Sequence, residues 1–304
     1  MQLSERAKSP SPLLDGIFLA RRPTGPVLAL VVLLGCLFVG QAVALLVLAL
    51  VTGAGAGLLE PRLALADQMV LMLAFGGTTA LLWLWIRFRE GRPFGSVGFL
   101  PASRVPQRLA LGAAGAAVAL SIPVLANVVS GQFTMDGPVP AQAAGVLLAL
   151  AGFAVQASTE EIVTRGYLLQ TTYRKWGLTA AVVVQAVVFT ALHGANAGVG
   201  VVPGLNLALI SLLLVFWALA EGGLWGVCAF HAVWNWFQGN VFGVEVSGMN
   251  LRTTLFDAEV ATGSTSLLTG GQFGVEGSLI TSAVLAVGVA LAVIAYRRTV
   301  RTAG

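Results

Sequence analysis

Eight apolar stretches, each close to the length of a membrane-spanning helix, constrain this chain more than any other feature. The hydrocarbon core of a bilayer is about 30 Å thick, so a helix needs about 20 predominantly apolar residues to cross it. The sequence therefore predicts an all-α, polytopic membrane helical bundle with about eight transmembrane helices. The predicted spans are residues 27–51, 68–86, 109–129, 139–159, 178–193, 205–220, 224–237 and 279–296.

The composition supports this prediction. Of 304 residues, 57% are hydrophobic and 10% are charged, whereas soluble domains carry about 25% charged residues. A water-soluble fold of this size could not bury so much apolar surface, which excludes a soluble globular protein, a disordered chain and a disulfide-stapled secreted module. The two cysteines, Cys36 and Cys228, lie inside apolar stretches and are expected to be core residues.

The positive charges are concentrated in alternate loops. Fifteen of the 17 Lys and Arg residues fall in the first 26 residues, the connections after the second and fourth spans, and the C-terminal tail. The alternate loops hold only Arg62 and Arg252. Because cytoplasmic loops carry an excess of positive charge, we expect an integral, multi-pass protein of the plasma (inner) membrane with both termini in the cytoplasm. The net charge of +4 forms no basic stripe interleaved with aromatics, so no nucleic-acid partner is expected.

The spans and loops divide the chain into segments. Residues 194–203 are glycine-rich and uncharged, and we expect them to dip into the bundle, whereas residues 240–278 are expected to form a long external connection. The four segments are a cytoplasmic arm at residues 1–26, two N-terminal transmembrane helices and a basic loop at 27–108, a core at 109–296, and a basic tail at 297–304.

Six polar residues lie in or beside three of the predicted spans. A charge near the bilayer centre costs roughly 2.5–3.5 kcal/mol on insertion scales, so such residues are functional candidates. Both histidines of the chain are among them. The six are Glu160, Glu161, Arg165, His193, His231 and Asn235.

The spacing of these residues predicts different roles for them. Glu161 and Arg165 are four residues apart, so they share a helix face and can form an ion pair. Glu160 points about 100° away from Glu161 and stays free for chemistry. His231 and Asn235 are also four residues apart and can face one cavity from successive turns.

Two hydrolytic schemes fit these side chains. In the first, Glu160 deprotonates a water molecule while His231 and Asn235 donate hydrogen bonds to the developing oxyanion. In the second, Glu160, His193 and His231 bind Zn²⁺, which lowers the pKa of its bound water to about 7. The sequence leaves the zinc-dependent and the metal-independent scheme open.

Other functions would use the same residues differently. Membrane Glu and His residues also relay protons in transporters, so a proton-coupled transporter is one alternative, although the spans show no inverted repeat. A Glu–Arg ion pair and interhelical hydrogen bonds can also be purely structural, as in a non-catalytic membrane scaffold or immunity protein. Several other protease classes are excluded, since the chain has no HExxH motif, no GxSxG motif and no pair of aspartates within the spans.

Three motifs occur in order on separate predicted spans. Glu160-Glu161-Ile-Val-Thr-Arg165 matches EExxxR, Phe189-Thr-Ala-Leu-His193 matches FxxxH, and His231-Ala-Val-Trp-Asn235 matches HxxxN. Over residues 109–296 the chain thus resembles the CAAX protease and bacteriocin-processing (CPBP) family of intramembrane endopeptidases, which includes type II CAAX prenyl proteases. The resemblance implies hydrolysis of a peptide bond in a membrane-associated protein or peptide.

The resemblance also implies a role for each motif residue. Some relatives trim three residues from prenylated chains, whereas many bacterial members have no prenylated substrate. A site near the cytoplasmic side of the bilayer is expected. The implied roles are water activation by Glu160, support by Glu161 paired with Arg165, binding of water or a metal by His193, and oxyanion stabilisation by His231 and Asn235.

Overall fold

The computed structural model describes residues 9–303. Residues 1–8 of the predicted arm, with Arg6 and Lys8, and the final Gly304 of the tail lie outside the described residues. The numbered helices are α1 (Pro12–Asp15), α2 (Pro26–Thr52), α3 (Leu65–Glu90), α4 (Val105–Val129), α5 (Ala143–Glu161), α6 (Leu169–Leu192), α7 (Val201–Glu221), α8 (Trp225–Trp236) and α9 (Leu279–Ala303). A further four-residue helix, Ser266–Thr269, lies in the connection before α9. The strands are β1 (Phe133–Asp136) and β2 (Asp257–Val260).

The long helices confirm the predicted all-α polytopic bundle. Within residues 9–303, six continuous helices are long and apolar enough to cross a membrane. One of them, Pro140–Leu192, has 53 residues and contains both α5 and α6. Helix α8 continues through a π-helical turn to Val241 and is shorter than these six. Counting α5, α6 and α8 separately gives eight helices, the number of spans that the sequence predicts.

The 53-residue segment is a helical hairpin that turns at Gly177. This glycine adopts φ 80° and ψ 177°, a conformation that interrupts the helix. A straight helix would separate Glu160 from His193 by about 50 Å, yet His193 Nε2 lies 3.9 Å from Glu160 Oε2. The chain therefore reverses at Gly177, which stands 17 residues after Glu160 and 16 residues before His193.

The hairpin corrects the predicted span boundaries. The sequence predicts spans at 139–159 and 178–193 with a connection between them, but the helix continues through a π-helical turn, Ile162–Leu168, into α6. Residues 161–172 are all buried inside the protein. Packing of these residues against neighbouring elements stabilises a helix that hydropathy alone ends too early.

One end of the bundle, which we call the basic end, contains the N-terminal arm, the connection before α4 and the α7–α8 turn. Ser11 Oγ donates a hydrogen bond to Leu219 O at 2.7 Å. Leu224 N donates to Gly98 O at 2.9 Å, which joins the α7–α8 turn to the connection before α4. Leu13 of the arm is buried, and its carbonyl accepts a 2.7 Å hydrogen bond from Gln170 Nε2. The described part of the arm is therefore packed against the bundle.

The opposite end, which we call the loop end, carries the long connections. Strands β1 and β2 form a two-stranded antiparallel sheet in which Phe133 pairs with Val260. A parallel bridge joins Leu63 to Leu251, so the α2–α3 connection packs on the segment between α8 and α9. These contacts place residues 240–278 at a single end of the bundle. The sequence predicts that these residues form one long connection.

Helices α4 and α8 make a close contact at two glycines. A Cβ atom on Gly112 would lie 2.1 Å from the carbonyl oxygen of Gly226. Small residues let membrane helices approach closely. Because α8 also carries His231 and Asn235, this contact fixes the position of two of the predicted site residues.

Replacing Gly112 with Ala should therefore destabilise the protein. The new methyl group meets a backbone atom that cannot move aside, so we expect a loss of about 1–3 kcal/mol, typical of overpacking. Thermal unfolding of the purified protein measures it. Gly115→Ala on the same helix is the matched control, because its nearest heavy atom, on Trp217, lies at an ordinary 3.4 Å. Equal unfolding temperatures for both variants would contradict the packing argument.

Candidate active site

The EExxxR motif places its second carboxylate in a buried network. Glu161 ends α5, and its side chain and that of Arg165 are both 0% exposed. Arg165 Nη1 donates to Glu161 Oε1 at 3.0 Å, and His231 Nδ1 lies 2.9 Å from the same oxygen. The pair that the spacing predicts is therefore present, and it also holds the imidazole of the HxxxN motif.

Arg165 connects this network to α6 and α7. Its Nη2 donates to Ser211 Oγ at 3.0 Å, and the guanidinium carbon lies 4.2 Å from the centroid of the Phe189 ring. Phe189 also packs against His193, with ring centroids 4.6 Å apart. A cation over an aromatic face is attracted by the ring quadrupole. The phenylalanine of FxxxH thus links the arginine of the first motif to the histidine of the second.

Glu160 faces both histidines. Its Oε2 lies 3.9 Å from His193 Nε2 and 3.8 Å from His231 Nε2, and this oxygen has no hydrogen-bond partner. His193 Nδ1 lies 2.8 Å from the carbonyl oxygen of Phe189. A carbonyl can only accept, so His193 carries its proton on Nδ1, and a neutral His193 presents the lone pair of Nε2 to Glu160.

Gln156, which the sequence analysis does not single out, connects two of the predicted residues. Its Nε2 donates to Glu160 Oε1 at 2.5 Å, and its Oε1 accepts from Asn235 Nδ2 at 3.1 Å. Its position one helical turn before Glu160 is the only signal in the sequence that could have identified it. The amide therefore fixes the distance between the EExxxR and HxxxN motifs.

A cavity of about 700 Å³ adjoins these side chains. Four of the six predicted residues line it, whereas Glu161 and Arg165 lie behind the lining. Most of the other lining residues are apolar, and they come from α2, α3, α5, α6, α7, α8 and α9 and from loop-end segments. The four that face the cavity are Glu160, His193, His231 and Asn235.

The cavity extends from the motif residues toward the loop end. His231 is six residues from Trp225, the first residue of α8 at the basic end, which is about 9 Å along the helix. From there the lining continues through Asn196 in the predicted dipping segment to Met249 at the loop end. No residue of the arm or of the α7–α8 turn lines it in the described part of the chain. The motif residues therefore lie nearer the basic end, while the cavity beside them extends to the loop end.

Glu276 is a further carboxylate of this cavity that the sequence analysis does not select as a site residue. It lies in the connection before α9 and lines the cavity at its loop end. Its Oε1 accepts a short hydrogen bond from Ser247 Oγ, and its Oε2 accepts from Trp234 Nε1 at 3.3 Å. Burial raises the pKa of the Glu276 carboxyl group above its ordinary value.

The residues that the sequence offers for zinc match that metal in chemistry. Glu160 Oε2 is a buried oxygen without a partner, and His193 Nε2 and His231 Nε2 face it. Both Nδ1 atoms contact acceptors, as is usual for metal-binding histidines. Among residues 9–303, however, no group of three His, Cys, Asp or Glu side chains is arranged closely enough to hold a metal ion.

The fold and the site together define a polytopic membrane protein in which Glu, His and Asn side chains converge on one cavity. Residues 142–237 match the family described as type II CAAX prenyl endopeptidase Rce1-like, and this segment contains all three motifs. The chain therefore carries a domain of the CAAX protease family, which confirms the resemblance seen in the sequence, and the match supports a membrane endopeptidase in general. No curated protein and no solved structure gives a significant match to the chain.

Proposed function

We propose that this protein hydrolyses a peptide bond of a membrane-anchored protein or peptide with water activated by Glu160. The observation that carries the proposal is the convergence of one unpartnered carboxylate oxygen and two imidazole nitrogens, 3.8 and 3.9 Å away, inside a mainly apolar cavity. A carboxylate and an imidazole at this separation can both accept from one water molecule and so orient it.

Each group would then have a distinct task. Glu160 takes a proton from the water, and His193 Nε2 accepts its second O–H. Protonated His231 donates from Nε2 to the oxyanion, with its charge balanced by Glu161, and Asn235 Nδ2 provides a second donor. Glu161 acts through His231, whose imidazole it contacts, and Arg165 acts through Glu161, since neither residue lines the cavity.

Zinc enters the proposal as a candidate cofactor. Glu160, His193 and His231 would hold it, and a bound zinc ion would act as a Lewis acid that makes water a stronger nucleophile. The metal-independent glutamate scheme uses the same side chains. Metal analysis of the purified wild type and of His193→Ala distinguishes the two schemes.

The surroundings of the cavity indicate how a substrate would reach the site. Phe38 on α2 is 65% exposed and lines the cavity, as do Ala191 and Ala195 at the exposed end of α6 and just after it. The cavity therefore reaches the outer surface of the bundle beside a predicted span. We propose that the substrate chain enters there from the lipid bilayer of the plasma (inner) membrane, and that the basic end, with both termini, lies in the cytoplasm.

The first test compares protein termini in membranes of cells that produce the wild type or Glu160→Ala at equal abundance. New termini present only with the wild type would identify both the proteolysis and its substrate. The alternatives predict other results. A transporter would drive substrate flux in proteoliposomes that Glu160→Gln abolishes, and a scaffold would keep its cellular function in Glu160→Ala.

Asn235→Ala tests the oxyanion site. In other hydrolases, removing one oxyanion donor lowers kcat about 10²–10³-fold. We expect kcat to fall by a similar factor here, with little change in KM. Steady-state kinetics on a peptide identified from the cellular termini gives both constants. Asn127→Ala is the control for loss of a buried amide, because Asn127 bonds backbone oxygens on α4 and before α9, outside the cavity. A rise in KM at unchanged kcat would indicate a substrate-binding role instead.

A further inference from the structure

The charges along the catalytic cavity are unbalanced. Two carboxylates, those of Glu160 and Glu276, line it together with two histidines, and no Lys or Arg of residues 9–303 does. The nearest buried guanidinium, that of Arg165, is paired with Glu161 behind the cavity wall. A mainly apolar cavity with this set of groups has a negative potential, which favours cationic ligands and disfavours anionic ones.

Glu276 is the carboxylate that the reaction leaves unused. Its hydrogen-bond donors are the hydroxyl and backbone N–H of Ser247 and the indole N–H of Trp234, all of them neutral groups. Among the ion pairs of the described residues, none includes Glu276. His193 is the one titratable side chain that acts electrostatically on Glu276, and it is neutral in the proposed reaction. A partly buried carboxylate without a charged partner is costly, and a bound cation would offset that cost.

The loops that hold Glu276 are tightly joined and fix its orientation. Ser247 has a φ of 48°, which is unusual for a residue other than glycine, and this conformation brings its hydroxyl group to the carboxylate. The backbone at Gly274 approaches Glu245 so closely that a Cβ atom would lie 1.8 Å from its carbonyl oxygen. Strained backbone conformations persist where the surrounding structure imposes them, and they concentrate at ligand sites. The carboxylate is therefore presented to the cavity in a fixed position.

Glu276 lies within reach of the residues that flank a scissile bond. Its indole donor, Trp234, stands three residues after His231 on α8, about 4.5 Å along the helix axis. An extended peptide advances about 3.3 Å per residue. A group bound at Glu276 would thus belong to a residue one to three positions from the bond that is cut.

We propose that Glu276 binds a cationic group of the substrate, an ammonium or guanidinium group one to three residues from the scissile bond on the loop-end side. This inference rests on the proposed endopeptidase function and specifies its substrate class. The cation can come from a Lys or Arg side chain or from a free N-terminus.

The test uses the full-length protein in lipid nanodiscs and a set of internally quenched peptides. The peptides carry Lys, norleucine or Glu at each of three positions beside the scissile bond. Each peptide is made with a free and with an acetylated N-terminus. We expect kcat/KM for the best Lys or free-amine peptide to exceed that of its neutral counterpart about tenfold or more, because hydrogen bonds to charged groups are the stronger ones. Glu276→Gln should bring this ratio to about one.

Glu245→Gln is the matched control. Glu245 lies in the same loop as Ser247 and accepts from Asn250, but its side chain does not line the cavity, so the preference should persist in this variant. The ratio of two peptides on one preparation is independent of the folded fraction, so partial misfolding of Glu276→Gln does not affect the result. An unchanged ratio in Glu276→Gln, or a wild type that prefers norleucine with an acetylated N-terminus, would overturn the proposal.

A binding measurement separates this proposal from the endopeptidase function. Fluorescence anisotropy with the same Lys and norleucine peptides on Glu160→Gln requires no cleavage. Tighter binding of the Lys or free-amine peptide, lost in Glu160→Gln/Glu276→Gln, would support the cation site even if the wild type cleaves none of the peptides. Equal binding of all peptides would refute the cation site even if the wild type cleaves them.

Discussion

Glu160→Gln is expected to lower kcat of the purified protein by about 10³-fold or more while leaving its unfolding temperature nearly unchanged. The amide cannot accept a proton from water, and general acid–base catalysis raises a reaction rate about 10²–10⁴-fold. The substitution keeps the size of the side chain and can keep the hydrogen bond with Gln156. Cleavage of a peptide identified from the cellular termini, followed by mass spectrometry, provides the measurement.

Two further variants identify the cause of the lower kcat in Glu160→Gln. Glu221→Gln removes another partly buried carboxylate, which accepts a hydrogen bond from the backbone of Gly226 at the basic end and does not line the cavity, so its kinetics should stay close to wild type. Glu160→Asp keeps the charge but shortens the side chain by one methylene group, and we expect an intermediate rate. Full activity in Glu160→Gln would refute the proposed role of Glu160.

Arg165→Leu is expected to destabilise the protein by about 3–5 kcal/mol, because it removes one partner of a fully buried ion pair and leaves Glu161 with His231 alone. The substitution also removes the contacts of the guanidinium with Ser211 and the Phe189 ring. Thermal unfolding and size-exclusion profiles in the same detergent would report the change. We expect little correctly folded protein at 37 °C.

The double variant Glu161→Gln/Arg165→Met separates charge from packing. It leaves no unpaired charge in the interior, so most of the stability should return. Activity should stay low, because His231 Nδ1 no longer contacts a carboxylate. Arg174→Leu, on an exposed part of α6, is the control for loss of an arginine and should unfold like the wild type. A stable and active Arg165→Leu would show that the ion pair is dispensable.

The chemical content of the site could be predicted from the sequence because polar side chains are rare inside apolar spans. Glu160, His193 and Asn235 stand out against their surroundings, and their spacing places them on helix faces that can converge. Helical periodicity also predicts the Glu161–Arg165 pair. These are local properties, since each depends on residue type and on separations of four residues.

The parts that the sequence did not predict depend on contacts between distant segments. The helix over residues 161–172 is stabilised by burial against other elements, which hydropathy does not measure. Gln156 and Glu276 belong to the site because the fold brings them to Asn235 and Trp234, 79 and 42 residues away. The residues next to them in the chain do not show these two long-range contacts.

The docking of the N-terminal arm has a consequence for the order of folding during synthesis. Ser11 and Leu13 leave the ribosome first, yet their partners Leu219 and Gln170 are made after most of the spans. Domains made by the ribosome fold from the N-terminus onward as their contacts become available. The arm must therefore wait at the membrane surface until α7 is inserted, and it docks as one of the last steps. Docking of the arm would thus report on completion of the bundle.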